Sequence, residues 1–268
     1  MSALRVLSLG AGVQSSTVLL MSLAGELPRL DAAIFADTGW EPAAVYAHLG
    51  RLEQAAQAAG LPVYRVTAGN IRDDVLAGDN TRNAMPFFVE GADGRAALMR
   101  RKCTAYYKIT PIRRKVRELY EQAGKPPVEQ WMGISLDEVE RMRSSDVGYI
   151  RIAYPLVDAR MTRWDCQRWL EAHGWADVPK SACIGCPFHG DDQWRDLRSR
   201  PAEWADAVAF DKAVRTPEAQ RSKTQAFMDN PVYLHRSLRP LDQVDLSTEE
   251  DHGQLNLFVN ECEGLCGV

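Results

Sequence analysis

Apolar residues near the start of the chain come in short blocks separated by polar turns. Arg5 to Leu9 (RVLSL) reads as a short buried strand, and Gly10 to Ser16 as a tight polar turn. Thr17 to Leu23 has helical spacing and is closed by Gly25. Asp31 to Ala36 is a second strand, ending in Asp37-Thr38-Gly39. Pro42 opens a helix that runs to Ala59 and stops at Gly60, and Leu61 to Val66 is a third strand. Strands alternating with helices at this spacing predict right-handed crossovers and a parallel sheet covered on both faces.

Asn70 to Gly94 lacks periodicity and carries glycines, Asn80, Asn83 and Pro86, so a long loop is expected there, a candidate lid. Arg101 to Glu121 contains Pro111 and then a helical run, and a strand over Val128 to Ile134 follows. Thr162 to His173 reads as a helix capped by Thr162 and ended by Gly174. Beyond Lys180 the chain is irregular, then helical from Pro201 to Val214, with a loop-like tail from Pro231. The expected fold is α/β: a parallel twisted sheet with helices on both faces, Rossmann-like, over residues 1–180. An irregular cysteine-bearing region, 181–268, packs on it.

Composition adds little to this. With 46% apolar and 25% charged residues the chain suits a soluble globular protein, and its net charge of −4 gives no global basic excess. Locally, Arg100, Arg101, Lys102, Lys108, Arg113, Arg114, Lys115 and Arg117 crowd one segment. It reads as a solvated helix face or as a polyanion site. Gly10, Gly12 and Gln14 break the first apolar stretch, which predicts neither an export leader nor a membrane span. A cytoplasmic, reducing setting is therefore expected, where the six cysteines point to metal or thiol chemistry.

Two segments carry candidate chemistry. Gly10-Ala11-Gly12-Val13-Gln14-Ser15-Ser16-Thr17 follows a strand and opens a helix, so free backbone N–H groups and a positive dipole end await an anion. It lacks the Gly-Lys-Ser/Thr of a Walker loop and the glycine spacing of a dinucleotide fingerprint. Cys183-Ile184-Gly185-Cys186-Pro187 presents two thiols in one turn, as metal or cluster ligands or as a redox pair. Cys103 lies among cations that favour thiolate, whereas Cys166, between Trp164 and Trp169, reads as core packing. Cys262 and Cys266 end the chain, and His189 is a reserve ligand.

The glycine loop resembles the pyrophosphate loop of the PP-loop superfamily, Ser-Gly-Gly-x-Asp-Ser, with Gly10 in place of the serine and Gln14 in place of the aspartate. Glutamine there is similar to the phosphoadenylyl-sulfate reductase branch. Phe35-Ala36-Asp37-Thr38-Gly39 with Glu41-Pro42 and Tyr46 resembles that family's second-strand motif, at the edge that contacts adenosine. Arg101-Lys102-Cys103-Thr104 with Lys108 and Pro111 is similar to its Cys-Thr…Lys-x-x-Pro segment. Gly133-Ile134-Ser135 with Asp137, Glu138 and Arg141 is similar to Gly-x-Arg-x-Asp-Glu-Ser-x-x-Arg, and Tyr154-Pro155-Leu156 to Asn-Pro-Leu. The tail resembles a reductase Glu-Cys-Gly-Leu-His ending.

The resemblance implies an adenine nucleotide α-hydrolase-like fold. It implies ATP or a related adenine nucleotide, with magnesium, held by Ser8, Gly10, Ala11, Gly12, Gln14, Ser15, Ser16, Asp37, Thr38, Gly133 and Arg141. It implies a [4Fe–4S] cluster on Cys103, Cys183 and Cys186, three ligands, with Cys262 the candidate fourth and zinc the alternative metal. Cys266 or His189 in place of Cys262, or an open position, is the other reading of the fourth site. Cys266, Cys262 and Lys108 are the catalytic candidates. The expected activity is ATP-dependent sulfur transfer to DNA, tRNA or a nucleoside. A cysteine desulfurase or thioredoxin and a second copy of the chain are the expected partners. The alternatives are a sulfate-nucleotide reductase and a non-catalytic nucleotide-binding accessory protein.

Overall fold

The computed structural model describes residues 3–77, 85–216 and 231–247. In chain order the elements are β1 (Leu4–Leu9), α1 (Val13–Ala24), β2 (Ala32–Asp37), α2 (Ala43–Ala58), β3 (Val63–Thr67), α3 (Ile71–Leu76), β4 (Phe88–Glu90) and β5 (Ala96–Leu98). A π-helical turn (Thr104–Ile109) leads into α4 (Thr110–Gln122), then β6 (Val128–Met132) and a 3-10 segment (Leu136–Arg141). The rest are β7 (Ile150–Ala153), α5 (Pro155–Asp158), α6 (Arg163–Ala172), α7 (Asp191–Arg198), α8 (Pro201–Ala213) and a 3-10 turn, Leu241–Gln243. The chain divides into two compact units. One takes in Met1–Ala68 and Thr104–Ser181, the other Gly69–Cys103 and the described part of Ala182–Leu265. The sequence set a boundary at residue 180; here the second unit also takes Gly69–Cys103.

The first unit is the expected parallel α/β layer. Its five strands run β3-β2-β1-β6-β7, every pair parallel. Alternate residues of β1 serve two cores. Leu7 and Leu9 pack with Leu19, Leu49, Leu156 and Leu170 from α1, α2, α5 and α6. Val6 packs with Ile34, Val128 and Ile150 of the sheet and with Ile112 and Val116 of α4. Helices thus cover both faces, as central parallel strands require. Strand β7 was not read from the sequence, because Ile150–Ala153 is short and alternates around Arg151.

Helix α1 is buried along most of its length and has no charged residue. It begins at Val13, not Thr17, so Gln14, Ser15 and Ser16 belong to its first turn and not to the preceding loop. It ends at Gly25, whose φ of 79° supplies the left-handed residue that closes a helix. The reading of α6 holds: Thr162 and Asp165 form a reciprocal capping box.

In the second unit the expected loop over Asn70 to Gly94 is partly ordered structure. Asn70 caps α3 by accepting from Arg72 N (3.0 Å) and Asp73 N (3.3 Å), and Ile71 and Val75 are buried. Arg72 pairs with Asp206 of α8 at 2.9 Å, Phe87 stacks on Phe210, and β4 and β5 form an antiparallel hairpin. A helix of six residues is too short for its period to show in sequence. Residues 78–84 of that loop lie outside the described residues. No helix among the described residues is long and apolar enough to cross a membrane.

One buried contact under α1 sets a pH dependence. Ser16 Oγ meets His48 Nε2 of α2 at 2.9 Å, and His48 Nδ1 has no partner. Burial, helped by the Arg51 charge, lowers the His48 pKa from 6.5 to about 4. The folded state therefore binds the proton more weakly than the unfolded chain. Stability from this group is intact above pH 6.5 and is lost as pH falls toward 4, by about 3 kcal/mol at most. Urea unfolding of wild type and His48→Gln between pH 7 and 4 checks this: wild type should lose ground to the variant across that window, and a constant gap contradicts it.

Candidate functional site

Strand order reverses between β1 and β6, and in open parallel sheets the crevice beyond such a reversal is where ligands enter. The β1–α1 loop and the β6 exit both lie at that edge. Gly10 N donates to Ser15 Oγ (3.1 Å), Ser15 Oγ donates to Gly12 O (3.3 Å), and Ser181 Oγ donates to Gly10 O. No side chain caps α1. The first intrahelical bond is Ser16 N to Gly12 O, so the preceding first-turn N–H groups lack partners within the helix, and the dipole's positive end faces out with them.

Packing does not require the two glycines of the β1–α1 loop. A Cβ on Gly10 or Gly12 would meet only ordinary contacts, at 3.6 and 3.5 Å. The left-handed residue of the loop is Ala11, with φ of 56° and a fully buried side chain. The position that excludes a side chain is Gly133: a Cβ there would lie 2.7 Å from Ser15 N and 2.8 Å from Ser15 Cα. The β6 exit therefore presses on the first turn of α1.

That approach builds a buried polar network around Gln14. Its amide donates to Glu138 Oε2 (3.2 Å) and Ser135 Oγ (3.4 Å), and its oxygen accepts from Arg163 Nη1 (3.2 Å). Arg141 pairs with Glu138 Oε1, and the Arg163 backbone N–H donates to Asp137 (3.0 Å). Ser135, Glu138 and Gln14 are buried. Sequence reading placed Arg141 here and quoted Glu138 without a role. Arg163 was missed, since it stands 149 residues from its partner and no local pattern marks it.

Other expected binding residues fall in two groups. Ser8 accepts from Gln130 Nε2 (2.8 Å) on the sheet, and the Ser16 hydroxyl turns to His48, away from the loop. At the end of β2, Asp37 Oδ1 accepts from Gly39 N and from Tyr46 OH, both at 2.8 Å. Burial and that bond raise the Tyr46 pKa well above the usual phenol range. Thr38 Oγ1 donates to Glu41 (3.1 Å), and Lys108, carried by the π-helical turn, reaches the same buried carboxylate at 3.6 Å. The basic run on α4 is largely ion-paired: Arg113 with Asp146, Lys115 with Glu118, Arg117 with Glu121.

In the second unit, Cys183 and Cys186 are half-buried and joined by a turn, Cys186 N to Cys183 O at 3.1 Å. His189 holds that turn: Nε2 meets Cys183 O at 3.0 Å and Nδ1 meets Gln193 Oε1 at 2.8 Å. Both ring nitrogens are thus engaged away from a ligand role. Cys103 is half-buried in the same unit. Among the described residues no group of three or more Cys, His, Asp or Glu side chains could hold an ion. Cys262 and Cys266 lie outside the described residues. Cys166 is core, as expected: burial pushes its thiol up to about 12.

No protein-family model matches the sequence, and no curated protein matches it. Among solved structures the chain is similar to phosphoadenylyl-sulfate (PAPS) reductase from Candida auris in a phosphate complex, at 15% identity. That match covers 68% of this chain and 76% of the other, with a TM-score of 0.42. It is also similar to the U34-tRNA thiolase NcsA from Methanococcus maripaludis with its [4Fe-4S] cluster. The identity is 13%, the coverage 79% and 71%, and the TM-score 0.42.

The glycine geometry separates two substitutions that look alike in sequence. Gly133→Ala should destabilise by about 2 kcal/mol, because backbone must move to admit the methyl. Gly10→Ala should shift stability by less than about 1 kcal/mol in either direction. Thermal or urea melts of both variants measure this, and equal effects would contradict the close approach.

Proposed function

We propose that the chain is an adenine-nucleotide-dependent enzyme of sulfur metabolism, of PP-loop type, that transfers sulfur to a nucleic acid or nucleoside. The observation that carries this reading is the uncapped N-terminus of α1 at the strand-order reversal, in a loop whose sequence resembles the pyrophosphate loop. Phosphates would accept from the first-turn amides, and Asp37 and Thr38 lie at the end of β2 for the nucleoside. Lys108, against Glu41, would supply charge to the leaving phosphates.

The loop does not fit a resident magnesium ion. Gln14 offers an amide oxygen already taken by Arg163, and both Glu138 oxygens are engaged, one by Arg141 and one by Gln14. Magnesium favours carboxylate and phosphate oxygens.

The half-buried thiols of Cys183 and Cys186 fit a thiolate-ligated metal, and Cys103 and Cys262 would complete the set, for iron–sulfur or for zinc. An iron–sulfur cluster there would supply soft, sulfur-ligating iron. In the sulfur-transfer step itself, ATP adenylates an acceptor oxygen and pyrophosphate leaves. The terminal sulfur of a persulfide on Cys266, loaded by a cysteine desulfurase, attacks the activated centre, and the oxygen leaves with AMP. An external thiol then attacks the Cys266 sulfur, releasing the thiolated product and leaving a mixed disulfide that a second thiol reduces. Sulfate-nucleotide reduction is the second reading, favoured by Gln14 at the loop position.

Anaerobic purification with iron and sulfide analysis, followed by assay of AMP and pyrophosphate release with DNA, tRNA and nucleosides, tests the proposal. Both products should appear only with the right acceptor. Cys266→Ala should abolish sulfur incorporation and leave ATP binding unchanged. Sulfite release from a sulfate nucleotide with thioredoxin, and no adenylate chemistry with any acceptor, would favour the reductase instead.

A further inference from the structure

The segment that follows β6 has inverted polarity. Ser135, Glu138 and Arg141 turn inward to the Gln14 network, with Glu138 and Arg141 largely buried. Leu136, Val139 and Met142 point outward, 39%, 44% and 36% exposed. They recur at every third position of a segment kinked at Glu138, with Met142 just past its end in extended backbone. Beside them, Leu136 N bonds Met161 O (2.8 Å) and Arg163 N bonds Asp137, which ties the stripe to the start of α6. There Trp164 is 61% exposed. Exposed apolar groups over a buried charged layer are the reverse of what folding alone favours and mark a contact surface.

We infer that this stripe and Trp164 form the platform on which bases of a single-stranded stretch of the nucleic-acid acceptor stack, an inference that rests on the acceptor class proposed above. The Arg168 guanidinium lies 4.6 Å from the Trp164 ring centroid and holds one face of the indole, leaving a flat guanidinium–indole pair of the kind that receives bases. Arg160 and Arg168 are exposed and form no salt bridge with the described residues. The neighbouring carboxylates of Asp137 and Asp165 accept from the backbone N–H of Arg163 and from Thr162. Asp158 and Glu171 stand two and three positions from Arg160 and Arg168 in sequence, so the segment is not strongly basic and stacking carries the contact. The stripe's inner face is the Gln14 network, which places the platform one side-chain layer from the α1 N-terminus.

The test is fluorescence anisotropy of the full chain with a labelled mixed-sequence single-stranded oligonucleotide, in DNA and RNA form, alongside ATP binding on the same preparations. Trp164→Ala should weaken oligonucleotide binding about tenfold, Trp164→Phe by less, and Val139→Ser by a few-fold, with ATP affinity unchanged. The slope of log affinity against log salt should be about −1 to −2, reflecting two arginines. Several results would overturn the inference. One is oligonucleotide binding indifferent to Trp164→Ala. Another is a salt slope steeper than about −4. ATP binding with no oligonucleotide binding removes the platform but leaves the nucleotide reading, whereas loss of both removes that reading too. Trp164→Ala that instead turns a dimer into a monomer by sedimentation assigns the stripe to a second copy of the chain.

Discussion

The site depends on one close approach, that of the Gly133 backbone to the first turn of α1. Neighbouring strands β1 and β6 send their chains to opposite faces of the sheet, which opens a crevice at their ends. Without a Cβ, Gly133 lets the departing chain press against Ser15. That sets the distance at which Ser135 and Glu138 reach Gln14, and it fixes the helix turn that presents the N–H groups. A methyl group at this point would have to push either the helix or the strand exit outward.

Charge explains why position 14 holds an amide. Gln14 sits between an anionic partner, Glu138, and a cationic one, Arg163, and bonds both because an amide carries a donor and an acceptor. An aspartate there would place a second carboxylate beside Glu138 in a buried setting, where like charges cost most. It would also lack the donor that Ser135 and Glu138 now accept. The departure from the usual loop pattern is thus matched by residues far along the chain, and the site's positive charge comes from guanidinium groups and helix amides.

Much of this was legible in sequence because it is local. Buried strands, glycine stops and the Thr162–Asp165 capping box depend on neighbours within a few residues. The parallel sheet followed from their alternation. What escaped was short or distant. Helix α3 spans six residues, β7 four, and the Arg163–Gln14 bond joins residues 149 positions apart. The loop glycines were legible as a loop, but the glycine that packing requires lies elsewhere. A glycine's neighbours in space, not its place in a motif, decide whether a Cβ fits, and Gly133 is tight where Gly10 is not.

The basic residues make the same distinction between composition and field. The run from Arg113 to Arg117 looks like a polyanion site when read along the chain. In space Arg113, Lys115 and Arg117 face Asp146, Glu118 and Glu121, and Lys115 also lies over the Tyr64 ring. Exposed pairs of this kind contribute little stability, but they cancel the field that would steer a phosphate backbone. At the Gln14 network Arg141 is paired in the same way, with Glu138, whereas the Arg163 guanidinium bonds the neutral Gln14 amide beside the helix N-terminus. On the proposed function, an anion entering the crevice would meet donors oriented before binding, which lets a small number of charges act strongly.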